Sequence, residues 1–156
     1  MGQDPSYGAV LTKSMVGPLT VWVENDAIVR LDWGAYDCTD HPLAREAVDQ
    51  LAAYFAGTRE AFDLPIAPAM SDFQTRFGKA LMDIPFGETL TYGELSKIMG
   101  VPAQAIGQAC GANPIPVIVP CHRVLAQCGL GGYSGAGGIE AKVTLLRLES
   151  AASLLI

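Results

Sequence analysis

At 156 residues the chain is long enough for one ordinary domain, or two small ones, with a buried core. Half of it is hydrophobic and 17% is charged, which excludes a disordered chain, and no apolar run approaches the roughly 18 residues that span a bilayer. The net charge of −6 lies wholly in residues 1–70, where Lys13, Arg30, Arg45 and Arg59 face ten acids; residues 71–156 balance six basic against six acidic residues, so only the first half argues against a polyanionic partner.

Residues 1–8 hold no basic cluster followed by an apolar stretch, so no secretory signal is expected and the cytoplasm is the default compartment. The cysteines Cys38, Cys110, Cys121 and Cys128 read as free thiols, because a chain of this length and apolarity needs no disulfide framework. Cys38 and His41 are three apart, but His122 is the only other histidine and no second cysteine pair has ligand spacing, so no metal site is expected.

In chain order, residues 19–23 (LTVWV) and 27–33 (AIVRLDW) are β-rich runs joined by Glu24-Asn25-Asp26, as in a hairpin. Residues 42–55 place Leu43, Ala47, Leu51, Tyr54 and Phe55 at helical spacing and stop at Gly57. Residues 58–70, with Pro65 and Pro68, have no period and read as a linker. The expected organisation is a small N-terminal α/β domain over 1–70 and a mostly helical C-terminal domain over 71–156, an α+β chain.

Ser71 suits the N-cap of a helix running to Met82, with Phe73, Phe77, Ala80 and Leu81 on one face. Thr91-Tyr92-Gly93-Glu94 is a capping box that opens a helix over 92–99, ended by Gly100; Pro102 opens another that runs to about Ala112. Two short helices with a tight glycine-containing turn are a helix-turn-helix candidate, although spacing alone favours an ordinary packed helical hairpin. Val117-Ile118-Val119, closed by Pro120, reads as a buried strand or extended segment that fixes Cys121. Six of the ten residues 129–138 are glycine, so backbone there can approach a ligand closely. A last helix over 139–148 would carry Val143, Leu146 and Leu148 inward.

A thiol is a strong nucleophile only as thiolate, and a neighbouring basic group lowers its pKa. Cys121 is followed by His122 and Arg123 and lies between a proline-punctuated apolar run and the glycine-rich loop. The block from Asn113 to Val124 (NPIPVIVPCHRV) resembles the active-site motif of the O6-alkylguanine-DNA alkyltransferases, also called methylated-DNA–protein-cysteine methyltransferases. The resemblance extends through Ile84-Pro85-Phe86-Gly87-Glu88-Thr89, Thr91-Tyr92-Gly93-Glu94-Leu95, Gly132-Tyr133-Ser134-Gly135 and residues 142–149, and covers about residues 71–150.

The resemblance implies DNA repair by irreversible transfer of an alkyl group from O6-alkylguanine to Cys121, once per molecule, by a monomer without metal or organic cofactor and without a membrane. His122 would deprotonate Cys121 through a bound water and Glu149 would orient His122; a carboxylate on one imidazole nitrogen raises the basicity of the other. Asn113 would tie the helix-turn-helix to the active-site segment, although its position alone fits a helix C-cap. Tyr92 would line the base pocket, a place that on sequence alone fits a core tyrosine equally well. Tyr133 and Ser134 would form the glycine-rich wall, and the backbone carbonyls of Cys121 and Val124 would accept from the exocyclic amine of a base flipped out of the duplex. Gln104, Ala105, Ala109 and Arg123 would meet DNA.

One position departs from the resemblance. Gln104 stands where the family carries an arginine that fills the gap left by the flipped nucleotide, and the turn Gly100-Val101-Pro102-Ala103 is about two residues short. This opens two alternatives: an alkyltransferase fold adapted to a small-molecule or single-stranded alkyl donor, and a lesion-binding protein with weak transfer.

Overall fold

A computed structural model describes residues 6–127, 129–131 and 138–151. The chain divides into two compact units, Met1–Ala69 and Met70–Ile156. The fold is α+β.

In the first unit a four-stranded sheet has the order β3-β2-β1-β4, from β1 (Tyr7–Leu11), β2 (Leu19–Glu24), β3 (Ala27–Trp33) and β4 (Thr39–Asp40). The β2/β3 hairpin turns at Asn25 and Asp26, with φ 50° and 59°. A two-residue turn with both residues left-handed follows the strand twist, and Asn and Asp are the side chains that best tolerate that backbone. The helix α1 (Pro42–Phe55) packs Ala44, Ala47, Leu51 and Tyr54 over the sheet, where Leu19, Val21, Val23, Ile28 and Leu31 are buried.

Two features of this unit differ from the sequence reading. Strand β1 was not expected, because Gly8 interrupts its side-chain pattern; a Cβ at Gly8 would overlap the Val21 carbonyl, so glycine is what allows β1 to pair there. The expected linker is tied down: Ile28 N donates to Pro65 O at 2.8 Å, Ala67 N donates to Ile28 O at 2.9 Å, and the Gln50 amide brackets the Asp63 backbone. Its prolines hide the period while its backbone is held against β3 and α1.

In the second unit α2 (Asp72–Met82) starts at Ser71, whose hydroxyl accepts from Gln74 N, and buries Phe77 and Leu81. The capping box is reciprocal: Glu94 N donates to Thr91 Oγ1 at 3.0 Å and Thr91 N donates to Glu94 Oε1 at 2.9 Å. It fixes the start of α3 (Tyr92–Met99) and is worth about 1 kcal/mol or more. Gly100, left-handed at φ 70°, ends α3, and α4 (Ala103–Gly111) follows Pro102. A short parallel pair, β5 (Leu90–Thr91) with β6 (Val124–Leu125), and the helix α5 (Ile139–Leu148) complete the unit.

The run Val117-Ile118-Val119 is not a strand. Val117 has φ 72° and Ile118 N donates to Pro116 O at 2.9 Å, a γ-turn of the rarer, strained hand; Cys121 N donates to Val119 O at 2.8 Å across Pro120, a second tight turn. A β-branched residue at positive φ costs on the order of 1–3 kcal/mol. It persists because Ile115, Val117, Ile118 and Val119 are all buried.

Candidate active site

The two turns deliver Cys121, His122 and Arg123 as one turn of 3-10 helix, and all three side chains are buried. Asn113, just beyond α4, brackets the approach: its Nδ2 donates to Val119 O at 2.8 Å and its Oδ1 accepts from Ile115 N at 3.0 Å.

Glu149, the C-cap of α5, is 2% exposed. A carboxylate at a helix C-terminus meets an unfavourable dipole, and here two neighbours offset it. Its Oε2 lies 2.7 Å from His122 Nε2, and Arg123 donates from Nε to Oε1 at 2.8 Å and from Nη2 to Oε2 at 3.0 Å. Arg123 Nη1 donates to Ile84 O at 2.7 Å, and its guanidinium lies over Phe86.

Burial drives the His122 pKa below the ordinary imidazole value, Arg123 and Lys142 push the same way, and Glu149 opposes them. The imidazole is therefore neutral near pH 7. With the Nε2 proton directed at Glu149, Nδ1 is an acceptor; among the described residues it has no hydrogen-bond partner.

Tyr92, the first residue of α3, is half-buried, and its phenol is kept protonated by burial and by the neighbouring Cys110 and Cys121. Gly131 faces it so closely that a Cβ there would stand 2.9 Å from Tyr92 Cε2. Cys110 has its thiol pushed up to about 12, mainly by burial and then by Cys121, so it is inert as a nucleophile at neutral pH. Cys38, Cys110 and Cys121 are free thiols. Among the described residues no three His, Cys, Asp or Glu side chains gather to hold a metal, and no helix is long and apolar enough to cross a membrane.

Residues 72–151 match the family model of the 6-O-methylguanine DNA methyltransferase DNA-binding domain, and residues 9–68 match that of its ribonuclease-like domain. The chain belongs to the 6-O-methylguanine DNA methyltransferase family. It is 49% identical over 115 residues to a methylated-DNA–protein-cysteine methyltransferase of Mycolicibacterium paratuberculosis, across 71% of this chain and 68% of that one. It is 53% identical over 106 residues to the protein of that name from Mycobacterium bovis, across 66% of this chain and 63% of that one. The crystal structure of Mycobacterium tuberculosis OGT in complex with DNA superposes with a TM-score of 0.81 at 42% identity and covers 92% of each chain.

The residues expected from the resemblance to 6-O-methylguanine DNA methyltransferases fall into three groups. Cys121, His122, Glu149, Asn113, Tyr92 and Val124 lie in the second unit, and direct hydrogen bonds join His122 to Glu149 and Asn113 to the backbone ahead of Cys121. The Val124 carbonyl already accepts from Lys142 Nζ at 2.6 Å, which leaves one of its two lone pairs. Tyr133 and Ser134 lie outside the described residues. On α4, Gln104 is exposed and Ala105 half-buried.

Two of the residues expected at DNA have buried side chains. Arg123 is 7% exposed with its guanidinium committed to Glu149 and Ile84, so it cannot reach a phosphate without breaking the buried pair. Ala109 is 2% exposed, on the inner face of α4.

The sequence reading also missed a residue. Lys142 is fully buried on α5, where the inward face is Ala141, Lys142, Leu145 and Leu146, while the expected Val143 and Leu148 are half-buried. Spacing three and four residues from Leu145 and Leu146 was the available signal, and a lysine on that stripe is what should have drawn notice.

Proposed function

We propose that this chain repairs DNA by taking the alkyl group of O6-alkylguanine onto Cys121 Sγ, once and irreversibly. The observation that carries the proposal is the buried His122–Glu149 pair directly after Cys121 in the same 3-10 turn, with the imidazole held neutral. His122 Nδ1 accepts the Cys121 proton through a bound water, and Glu149 holds the Nε2 proton and stabilises the imidazolium that results. The thiolate attacks the alkyl carbon, a C–S bond forms, the C–O6 bond breaks, and its electron pair leaves with the guanine. Tyr92, kept protonated, donates a hydrogen bond to the departing guanine anion; the anion takes up a proton from water and the His122 imidazolium gives up the Cys121 proton to water, so the net change is one proton moved from the thiol to guanine. The thioether has no hydrolytic exit, so the protein is consumed.

In this reading the second unit binds DNA through α3 and α4, flips the nucleotide and carries the chemistry, while the first unit supports it. Thiols that must stay free are best kept so in a reducing compartment, and this reading takes the cytoplasm as that compartment. The alternatives that Gln104 raised, a small-molecule donor and a lesion binder, have less support: Cys121 is present, and relatives at about half identity are named methyltransferases. Intact mass before and after incubation with an O6-methylguanine duplex tests the proposal. One added methyl group per chain, mapped to Cys121, is the expected result; multiple turnovers, or an alkyl group on Cys110 or Cys128, would refute it.

A further inference from the structure

Between the end of α2, the segment 83–90 and α3, the second unit holds a pocket of about 360 Å³ that the chemistry at Cys121 does not use. Its volume is at the small end of the range for ligand sites. Ile84 and Leu95 form an apolar floor and are almost wholly buried. The walls are held from behind. Ile84 N donates to Leu81 O at 2.9 Å, Ile84 O accepts from Arg123 Nη1 at 2.7 Å, and Leu90 pairs with Val124 across β5 and β6. The rim between them is a closed turn: Glu88 N donates to Pro85 O at 3.0 Å, and Gly87, at φ 85°, takes the third place, which in such a turn favours glycine. The pocket is therefore formed before anything enters it.

Two features say what fits. Ile98 lines the pocket yet is 66% exposed, one turn of α3 beyond the buried Leu95 and on the same helix face. An isoleucine left in water at the mouth of an apolar pocket is surface suited to being covered. Asp83 and Glu88 are the charged residues of the lining, and both are exposed. Lys79 and Lys97 precede lining residues in the chain without lining the pocket themselves. The site is thus an apolar centre with two anions on its rim. Phosphate is repelled there, which sets the pocket apart from a nucleic-acid surface. Residues 152–156 (ASLLI) of this chain are apolar but bring no cation to the two carboxylates.

We propose that this pocket docks a segment of a partner protein in which one or two apolar side chains are flanked by lysine or arginine. The apolar side chains fill the space over Ile84, Leu90 and Leu95 and cover Ile98, while the flanking cations meet Asp83 and Glu88. One anion ends α2 and the other sits on the turn at 85–88, so the two ask for cations carried at separate points along one chain. Exposed carboxylates of this kind add selectivity and speed of encounter more than tightness, and the apolar contacts supply most of the affinity. The docking site is independent of the acceptor role proposed for Cys121.

The test uses the full chain with labelled isoleucine and leucine methyl groups, titrated with an acetylated and amidated peptide of two leucines between pairs of lysines. Saturable shifts of the Ile84, Leu90, Leu95 and Ile98 methyl signals are expected. Two control peptides, one with glutamates for the lysines and one with serines for the leucines, are expected to leave those signals in place. The double variant Asp83→Asn with Glu88→Gln is expected to weaken binding by about fivefold and to flatten its salt dependence. Ile98→Ser is expected to weaken it by about tenfold or more, as loss of an apolar anchor does. Equal binding of the glutamate peptide or of the serine peptide would overturn the proposal, as would shifts confined to other methyl groups or an unchanged affinity in both variants. Two further outcomes would assign the pocket to another occupant and overturn it as well. In one, a chain ending at Ala151 binds the peptide while the full chain does not, which gives the pocket to residues 152–156. In the other, sedimentation shows a dimer that Ile98→Ser dissolves, which gives it to a second copy.

Discussion

Glu149 Oε2 lies 2.7 Å from His122 Nε2, and the same carboxylate accepts both hydrogen bonds from Arg123, so one acid orients the imidazole and neutralises the guanidinium. Because all three side chains are buried, no water substitutes for any of them. Orientation and stability are therefore coupled at Glu149.

Replacing Glu149 with Gln tests this coupling. The amide keeps the size but removes the charge, so Arg123 becomes a buried cation without its anion and His122 loses the partner that fixes its tautomer. Single-turnover transfer is expected to slow by about tenfold or more. Urea denaturation is expected to show a loss of about 3 kcal/mol, the low end for breaking a buried pair. An unchanged transfer rate in the folded variant would remove Glu149 from the mechanism.

Arg123→Ala separates a structural arginine from a DNA-contacting one. Its burial against Glu149 and Ile84 O predicts a stability loss of about 3–5 kcal/mol. The salt dependence of duplex binding should stay the same, since no phosphate contact is removed. A salt slope reduced by about one with stability intact would return Arg123 to the DNA surface.

What was legible in the sequence was local chemistry. Thr91 and Glu94 announce their helix because the capping box satisfies both donors within four residues, and Asn25-Asp26 announces its hairpin because few side chains accept that backbone. The buried run at Val117 was misread because an apolar stretch looks the same as a strand or a strained turn, and a positive φ leaves no trace at a valine. The pairing of Arg123 with Glu149 was not legible because sequence gives a residue's neighbours and not its direction: one step along a 3-10 turn separates Cys121 from His122, and two steps bring Arg123 round to Glu149. The pairing of residues 122 and 123 with Glu149 spans more than 25 positions, and only the family resemblance, not spacing, linked His122 to Glu149 beforehand.

His122 makes stability depend on pH in a definite sense. Its pKa is lowered on folding from the ordinary value of 6.5, so between the folded value and 6.5 the unfolded chain binds more protons and stability rises with pH. Acidification below about pH 6.5 should therefore lower the melting temperature. His122→Gln, which can still donate to Glu149, is expected to lose this part of the dependence while abolishing fast transfer. A wild-type and variant pair with parallel melting profiles from pH 5 to 7 would show that His122 does not titrate in this way.

Gln104 is exposed near the start of α4, where its side chain is free to meet nucleic acid, yet it brings no charge. If α4 enters the groove, the gap left by a flipped base is filled by an amide, and the few kcal/mol of unstacking must be offset without a guanidinium. The exposed basic residues of the second unit, Arg76, Lys79, Lys97 and Arg147, are no more numerous than its exposed acids Asp72, Asp83, Glu88, Glu94 and Glu140, so the surrounding field does little to compensate. Transfer from duplex DNA should then be weak relative to transfer from a single strand, where much of the unpairing cost is absent. Gln104→Arg should tighten duplex binding, steepen its salt dependence by about one phosphate contact and raise the duplex transfer rate. Reaction with free O6-alkylguanine should hardly change, because α4 takes no part in the chemistry at Cys121. Stopped-flow transfer on matched single-stranded, duplex and free-base substrates measures all three. If duplex transfer stays level in the variant while the free base reacts well, Gln104 is not the residue that fills the gap, and the short turn at Gly100-Val101-Pro102 directs α4 elsewhere.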